Sequence, residues 1–291
     1  MRREDFNALL KRGKLLLDGA TGSQLRARGM PVGVCTELWA YEHPETVIEL
    51  QRAYVDAGSD VIYAPTFSAN RLGLEMHGLA DRLEELNAGL VAISRRAAGG
   101  RALVAGDFAT TGKPLEPIGK LSYHELLEVY REQIGVVAAA GVDYVAAETM
   151  LGIDECACFV EAAHSVCDLP VTCTLTMEAD GHLLFGGNVV EAVETLQALG
   201  VSAVGLNCSV GPDQLESVVR SMKAVAEVPI IAKPNAGLPV MDEKGVAHYS
   251  MTPEAFAASM MRLAEAGADI LGGCCGTGPE YIAALKRAVR S

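Results

Sequence analysis

The chain has 291 residues, half of them hydrophobic and 21% charged, with a formal net charge of −13. That acidic balance argues against nucleic acid, because phosphate binding needs a basic surface. No segment approaches the roughly 18 uninterrupted apolar residues of a membrane span. The N-terminus, Met1-Arg2-Arg3-Glu4-Asp5-Phe6, lacks the apolar core of a signal peptide, so a cytoplasmic location is expected. In that reducing setting the eight cysteines read as thiols or metal ligands rather than a disulfide framework.

In chain order, a leading helix is predicted at 4–12, within a stretch 1–13 that covers one end of the fold. Near-continuous apolar runs follow at 14–18, 60–66, 102–108, 143–148, 170–177, 203–208, 229–234 and 269–274. Such runs suit parallel strands buried on both faces. Amphipathic stretches lie between them at 44–57, 122–140, 154–166, 189–199, 214–226 and 253–266. Gly58, Gly141, Gly200 and Gly267 stand where helices should stop before the next strand. Eight βα units predict a (β/α)8 barrel occupying residues 1–291 as one domain, since no linker or low-complexity tract divides the chain. An open doubly wound sheet is the alternative, disfavoured because no GxGxxG follows the first strand. The longest irregular connection, 235–252, is a candidate lid or substrate loop; a plain surface excursion serves equally.

In such a barrel the chemistry sits where strands end. Strand one ends in Asp18-Gly19-Ala20-Thr21-Gly22, strand four in Glu148-Thr149, strand six in Asn207-Cys208, and strand eight in Gly272-Gly273-Cys274-Cys275-Gly276. Isolated acids at the ends of apolar strands are costly unless paired, so Asp18 and Glu148 are candidates to meet a cation such as a substrate ammonium. A salt bridge or helix cap is the alternative for either acid taken alone. The Gly19–Gly22 turn offers backbone N–H groups to a carboxylate or phosphate, or simply turns the chain.

Cys208 alone reads as a small buried hydrophobe, but a glycine-flanked vicinal pair has little packing rationale. Cys208, Cys274 and Cys275 together suggest an open zinc site, with three thiolates and a position left for substrate. Cys156 and Cys158 form CxC in a helix, where positions i and i+2 do not share a face, and read as packing. The six histidines are scattered, and none adjoins a predicted strand end. A metal with three thiolates is a poor Lewis acid for carbonyls but suits deprotonating a bound thiol while leaving its sulfur electron-rich. Alkyl transfer to sulfur is the matching reaction class.

The motifs Asp18-Gly19-Ala20-Thr21-Gly22-Ser23, Thr36-Glu37-Leu38-Trp39, Pro65-Thr66-Phe67-Ser68-Ala69-Asn70, Gly205-Leu206-Asn207-Cys208, Pro234-Asn235-Ala236-Gly237 and Gly272-Gly273-Cys274-Cys275-Gly276 run in order along nearly the whole chain. Together they resemble the homocysteine S-methyltransferase family. The resemblance implies a (β/α)8 barrel with Zn2+ on Cys208, Cys274 and Cys275, and homocysteine as the methyl acceptor, giving methionine. It also implies substrate contacts at Asp18, Gly19, Ala20, Thr21, Glu148 and Asn207. The acids then hold the amino group, and the Gly19–Thr21 backbone holds the carboxylate.

Thr66-Phe67-Ser68-Ala69-Asn70-Arg71 most resembles the homocysteine domain of cobalamin-dependent methionine synthases, which implies methylcobalamin carried on a separate corrinoid protein. The chain stops at Arg290-Ser291 with no folate or cobalamin module in view, and that favours a soluble sulfonium donor, S-methylmethionine or S-adenosylmethionine, instead. Two readings of other classes stay open. A phosphate-binding barrel isomerase or lyase would use Gly276-Thr277-Gly278, and a non-catalytic zinc- or thiol-binding protein would use the barrel only as a scaffold.

Overall fold

The computed structural model describes residues 1–11, 13–241 and 247–290. Arg12 of the predicted leading helix, residues 242–246 of the predicted 235–252 connection, and Ser291 lie outside the described residues. Eight parallel strands appear where the apolar runs predict them: β1 (Leu15–Leu16), β2 (Val61–Ala64), β3 (Leu103–Phe108), β4 (Tyr144–Met150), β5 (Val171–Leu175), β6 (Ala203–Asn207), β7 (Ile230–Lys233) and β8 (Ala268–Leu271). Each pairs with its sequence neighbour from β2 round to β8, and β8 pairs with β1. The seam between β1 and β2 is joined by Asp60, whose N–H donates to Leu16 O (2.7 Å) and whose Oδ2 accepts from Leu16 N–H (2.9 Å). The sheet is thus a (β/α)8 barrel, not the open doubly wound alternative.

Helices surround it, and the long one that follows each strand ends or begins as local chemistry dictates. The helix Tyr123–Ala139 starts at a reciprocal cap. Ser122 Oγ accepts from Glu125 N–H (3.2 Å), while Glu125 Oε2 accepts from Ser122 N–H (2.9 Å). All four predicted stop glycines have positive φ, from 84° at Gly200 to 123° at Gly267. Leu83–Ala98, which follows β2, lies outside the predicted helical stretches; its Leu90, Val91 and Ile93 pack in the core between helices and sheet. A short antiparallel hairpin, Pro239–Met241 with Ala247–Tyr249, rises from the connection after β7. Among the described residues, no helix is long and apolar enough to cross a membrane.

The pleat divides the barrel interior into layers. Successive strand residues face opposite sides, so residues two apart share a face. On the inner face Leu15, Leu17, Val61, Tyr63, Ala105, Tyr144, Ala146, Ala203, Ile231 and Ile270 form one apolar cluster. The helix Arg3–Leu10 closes the end where the strands begin. Phe6, 1% exposed, sits in that cluster with its ring 5.4 Å from that of Tyr144. Two residues further along β3, β4 and β7 the same alternation delivers Asp107, Glu148 and Lys233, and along β6, whose inward column passes Ala203 and Gly205, it delivers Asn207.

At Gly205 a Cβ would stand 2.1 Å from Ile231 O, so β6 and β7 approach more closely than any side chain allows. Gly205→Ala should therefore force the two strands apart and cost about 3 kcal/mol of stability, the upper range for overpacking. Urea unfolding of the two proteins checks this.

Candidate active site

Where the strands end, a cavity of about 530 Å³ is lined by Asp18, Gly19, Ala20, Thr21, Tyr63, Asp107, Glu148, Lys233 and the thiols of Cys208, Cys274 and Cys275. A larger cleft of about 810 Å³ lies at the opposite end, between the leading helix, Arg101 and Lys286, and gathers no comparable chemistry. His77, far from any strand in sequence, reaches the rim of the inner cavity.

The thiols converge by three different turns of the backbone. Cys208 directly follows β6 in a left-handed conformation (φ 49°), held by its N–H to Lys233 O (3.3 Å) and by Thr176 Oγ1, which donates to its carbonyl (3.0 Å). β8 ends at Leu271 rather than at the predicted Cys274. Beyond it the chain alternates partners, Gly273 N–H donating to Asp18 O (3.0 Å) and Cys274 N–H to Pro234 O (2.9 Å). A turn then follows, closed by Thr277 N–H to Cys274 O (3.1 Å), and it brings Cys275 back beside its neighbour. The three sulfurs lie within 4.8 Å of one another, and Cys208 Sγ is 3.6 Å from Cys275 Sγ. A tetrahedral ion with metal–sulfur bonds of about 2.3 Å would hold its sulfurs about 3.8 Å apart. The trio therefore fits a metal as it stands. Hydrogen bonds from Cys208 and Cys274 pull the Cys275 thiol down to about 3. Tyr249, from the hairpin, interacts with Cys275 as well. Cys156 and Cys158 are fully buried in the helix Ile153–Val166, away from this site.

Beside the thiols lies a charged layer that no strand end announces in full. Lys233 Nζ, on a side chain 3% exposed, is 3.1 Å from Glu148 Oε2 and 3.6 Å from Asp18 Oδ1. It also stands 3.8 Å from the centre of the Tyr63 ring. The salt bridge considered as the alternative for Asp18 and Glu148 thus exists, with a lysine of the chain itself. Burial disfavours the Lys233 charge, but Glu148, Asp18 and Asp107 outweigh it and hold the ammonium protonated well above its usual range. Burial raises the Asp18 carboxyl to about 6, opposed by Lys233 and by the Tyr63 N–H that Oδ2 accepts at 2.7 Å. Asp107 is raised further, by burial and then by the charge of Glu148.

Asn207 is fully buried and makes its bonds to neighbours rather than to the open cavity. Its Nδ2 donates to Glu148 Oε1 (3.1 Å) and Thr149 Oγ1 (2.7 Å), and its Oδ1 accepts from Thr149 N–H (2.8 Å). These bonds orient Glu148 and fix Thr149, like Cys208 a non-glycine residue with left-handed backbone (φ 60°). Of the strand-one turn, Ala20 N–H is taken by Thr277 O (3.0 Å), while the N–H groups of Gly19 and Thr21 have no partner among the described residues. Thr277 itself is fully buried, with N–H and hydroxyl both donating to Cys274 O, which leaves little of the phosphate site considered for that turn.

Asp107 and Lys233 are the residues the sequence reading passes over. Each is a lone charge in an apolar strand, at an inward position two residues past a core side chain, and that alternation is the signal that marks them. Because one lysine serves several buried acids, Lys233→Met should destabilise the fold by about 3–5 kcal/mol, the scale for stripping a buried ion of its partner. Urea unfolding at neutral pH measures it, and a loss below 1 kcal/mol would mean that the acids do not need this cation.

A family model described as homocysteine S-methyltransferase matches residues 15–289. The chain is 30% identical over 303 residues to the methionine synthase of Mycobacterium tuberculosis, covering 98% of this chain and 25% of that protein. It is equally identical over 290 residues to the methionine synthase of Mycobacterium leprae, covering 94% and 24%. It therefore spans about a quarter of the length of these relatives. Among solved structures, the metallated form of the homocysteine methyltransferase MmuM from Escherichia coli superposes with a TM-score of 0.83 at 24% identity, over 98% of this chain and 99% of that one, a likeness of fold. With the match running from β1 into the last helix, the chain belongs to the homocysteine S-methyltransferase family of enzymes.

Proposed function

We propose that this chain transfers a methyl group to the thiol of homocysteine, giving methionine, with zinc on Cys208, Cys274 and Cys275 and a methylcorrinoid as donor. The observation that carries the reading is the meeting, in one cavity, of three convergent thiols with buried carboxylates suited to an ammonium. When bound, zinc supplies thiol deprotonation at neutral pH, the free thiol having a pKa of about 8.5.

The chain's own residues then position the acceptor. Asp18 and Glu148 receive the amino group, and Asn207 holds Glu148 in place through its amide. The free N–H groups of Gly19 and Thr21 face the carboxylate. The thiolate sulfur attacks the methyl carbon, the bond from that carbon to its carrier breaks, and the electron pair leaves with the carrier. A thiolate becomes a thioether, and no other proton need move.

The rim supports a large donor. Val32 and Val34 after β1, Met76 after β2, Ile118 after β3, Leu184 and Phe185 after β5, and Leu238 after β7 are all exposed on strand-end connections. Of these Val34 lines the cavity itself, and exposed apolar side chains on strand-end connections suit a docking partner better than water. A separate corrinoid-bearing protein is the partner proposed. S-methylmethionine or S-adenosylmethionine would serve the same sulfur chemistry without one. A reducing, cytoplasmic setting suits a site built on three free thiols.

Zinc content should be about one per chain. Cys208→Ala, Cys274→Ala and Cys275→Ala should each lose most of it, because two thiolates remain, whereas Cys156→Ala and Cys158→Ala should keep it. Elemental analysis decides, and full zinc in Cys274→Ala would refute the ligand set. For the donor, methylcobalamin and S-methylmethionine are compared at equal concentration with saturating homocysteine. Turnover should be faster with methylcobalamin; S-methylmethionine faster by ten-fold or more would place the enzyme on the sulfonium-dependent branch.

A further inference from the structure

The charged layer is out of balance. Asp18, Asp107 and Glu148 are all buried, and among the described residues the one buried cation beside them is Lys233. With all groups ionised, three negative charges face one positive charge, and unbalanced buried charge is costly. Two oxygens in this layer make no hydrogen bond, Asp18 Oδ1 and Asp107 Oδ1. Their residues are 1% and 8% exposed, and both line the cavity that holds the thiols. Lys233 does not satisfy Asp18 Oδ1, since 3.6 Å is beyond hydrogen-bond length.

Nor is Asp107 occupied by the needs of its own strand. Its backbone is bound on both sides by Thr66, whose Oγ1 donates to Asp107 O (2.8 Å) and accepts from Asp107 N–H (3.1 Å). The alternation of β3 then sends the side chain inward, next to Glu148. An ammonium offers three N–H donors, and this layer offers three carboxylates. Lys233 is fixed against Glu148 and the Tyr63 ring, so it remains as a permanent counter-charge while a second cation enters.

We propose that Asp107 is a third acceptor for the substrate's ammonium and, with Asp18 and Glu148, makes the site select thiols that carry an amino group. The proposal rests on homocysteine being the substrate. A second cation also reduces the imbalance, to three negative charges against two positive, and opposes the burial that raises the Asp107 carboxyl.

The test is calorimetric binding to the zinc-loaded protein of L-homocysteine and of 4-mercaptobutanoate, which is homocysteine without its amino group. Wild type should prefer homocysteine. Asp107→Asn and Asp107→Ser should cut that preference about ten-fold or more, the scale of a hydrogen bond to a charged group. Binding of 4-mercaptobutanoate should change little, and the melting temperature should hold. Equal weakening of both thiols, an undiminished preference, or failure of both variants to fold would overturn the role of Asp107 and leave the homocysteine reading standing. A wild type that does not distinguish the two thiols would overturn both.

Discussion

The ammonium of Lys233, almost wholly out of water, is the constraint around which the rest of the barrel is arranged. Three carboxylates share it, on β3, after β1 and in β4, and each strand brings its acid to the same height because the pleat repeats every two residues. Below that height the interior is filled with Leu, Val, Ile and Tyr side chains; above it lie the cavity and the thiols. A buried ion of this kind does not come free. It stands because Glu148, Asp18 and the face of Tyr63 surround its ammonium.

Charge and sulfur are joined physically. Asn207 reaches Glu148 with one amide hydrogen, and the same nitrogen lies 3.9 Å from Cys274 Sγ, while the next residue is Cys208. The two non-glycine residues with left-handed backbone among the described residues, Thr149 and Cys208, flank this amide. Such conformations persist only where surrounding contacts hold them. Here those contacts are the hydrogen bonds of Asn207 to Thr149 and of Cys208 N–H to Lys233 O. Glu148 and the sulfurs of Cys208 and Cys274 therefore cannot shift independently.

Much of this was legible in the amino-acid sequence, for identifiable reasons. All eight strands were, because strands covered on both sides leave unbroken apolar runs. Their ends were less so. β1 keeps only two ladder residues and β8 stops at Leu271, since the chain there leaves the ladder to turn Asp18 and the cysteines inward. Asp18, Glu148 and the three cysteines stood out by residue type. Lys233 and Asp107 did not, because each sits in a run read as near-continuously apolar. Only the column of inward positions through Ile231 and Ala105 identifies them, and that column is a property of the pleat rather than of any local motif. Asn207 was found, but its bonds to Glu148 and Thr149 were not, since those partners come from β4, some 58 residues away in sequence.

The plug formed by Phe6, Tyr63 and Tyr144 has a consequence for traffic. Apolar packing shuts the lower end of the barrel, so a molecule reaching the charged layer enters and leaves by the upper mouth. On the proposed chemistry the amino acid lies deepest and the methyl carrier rests above it. Loading is then a queue with one door: the acceptor goes in first, the carrier closes over it, and the methylated product stays confined until the carrier departs. A free pool of carrier would slow such an enzyme by standing in the doorway before the acceptor arrives, an inhibition that arises from the shape of the barrel without any second binding site.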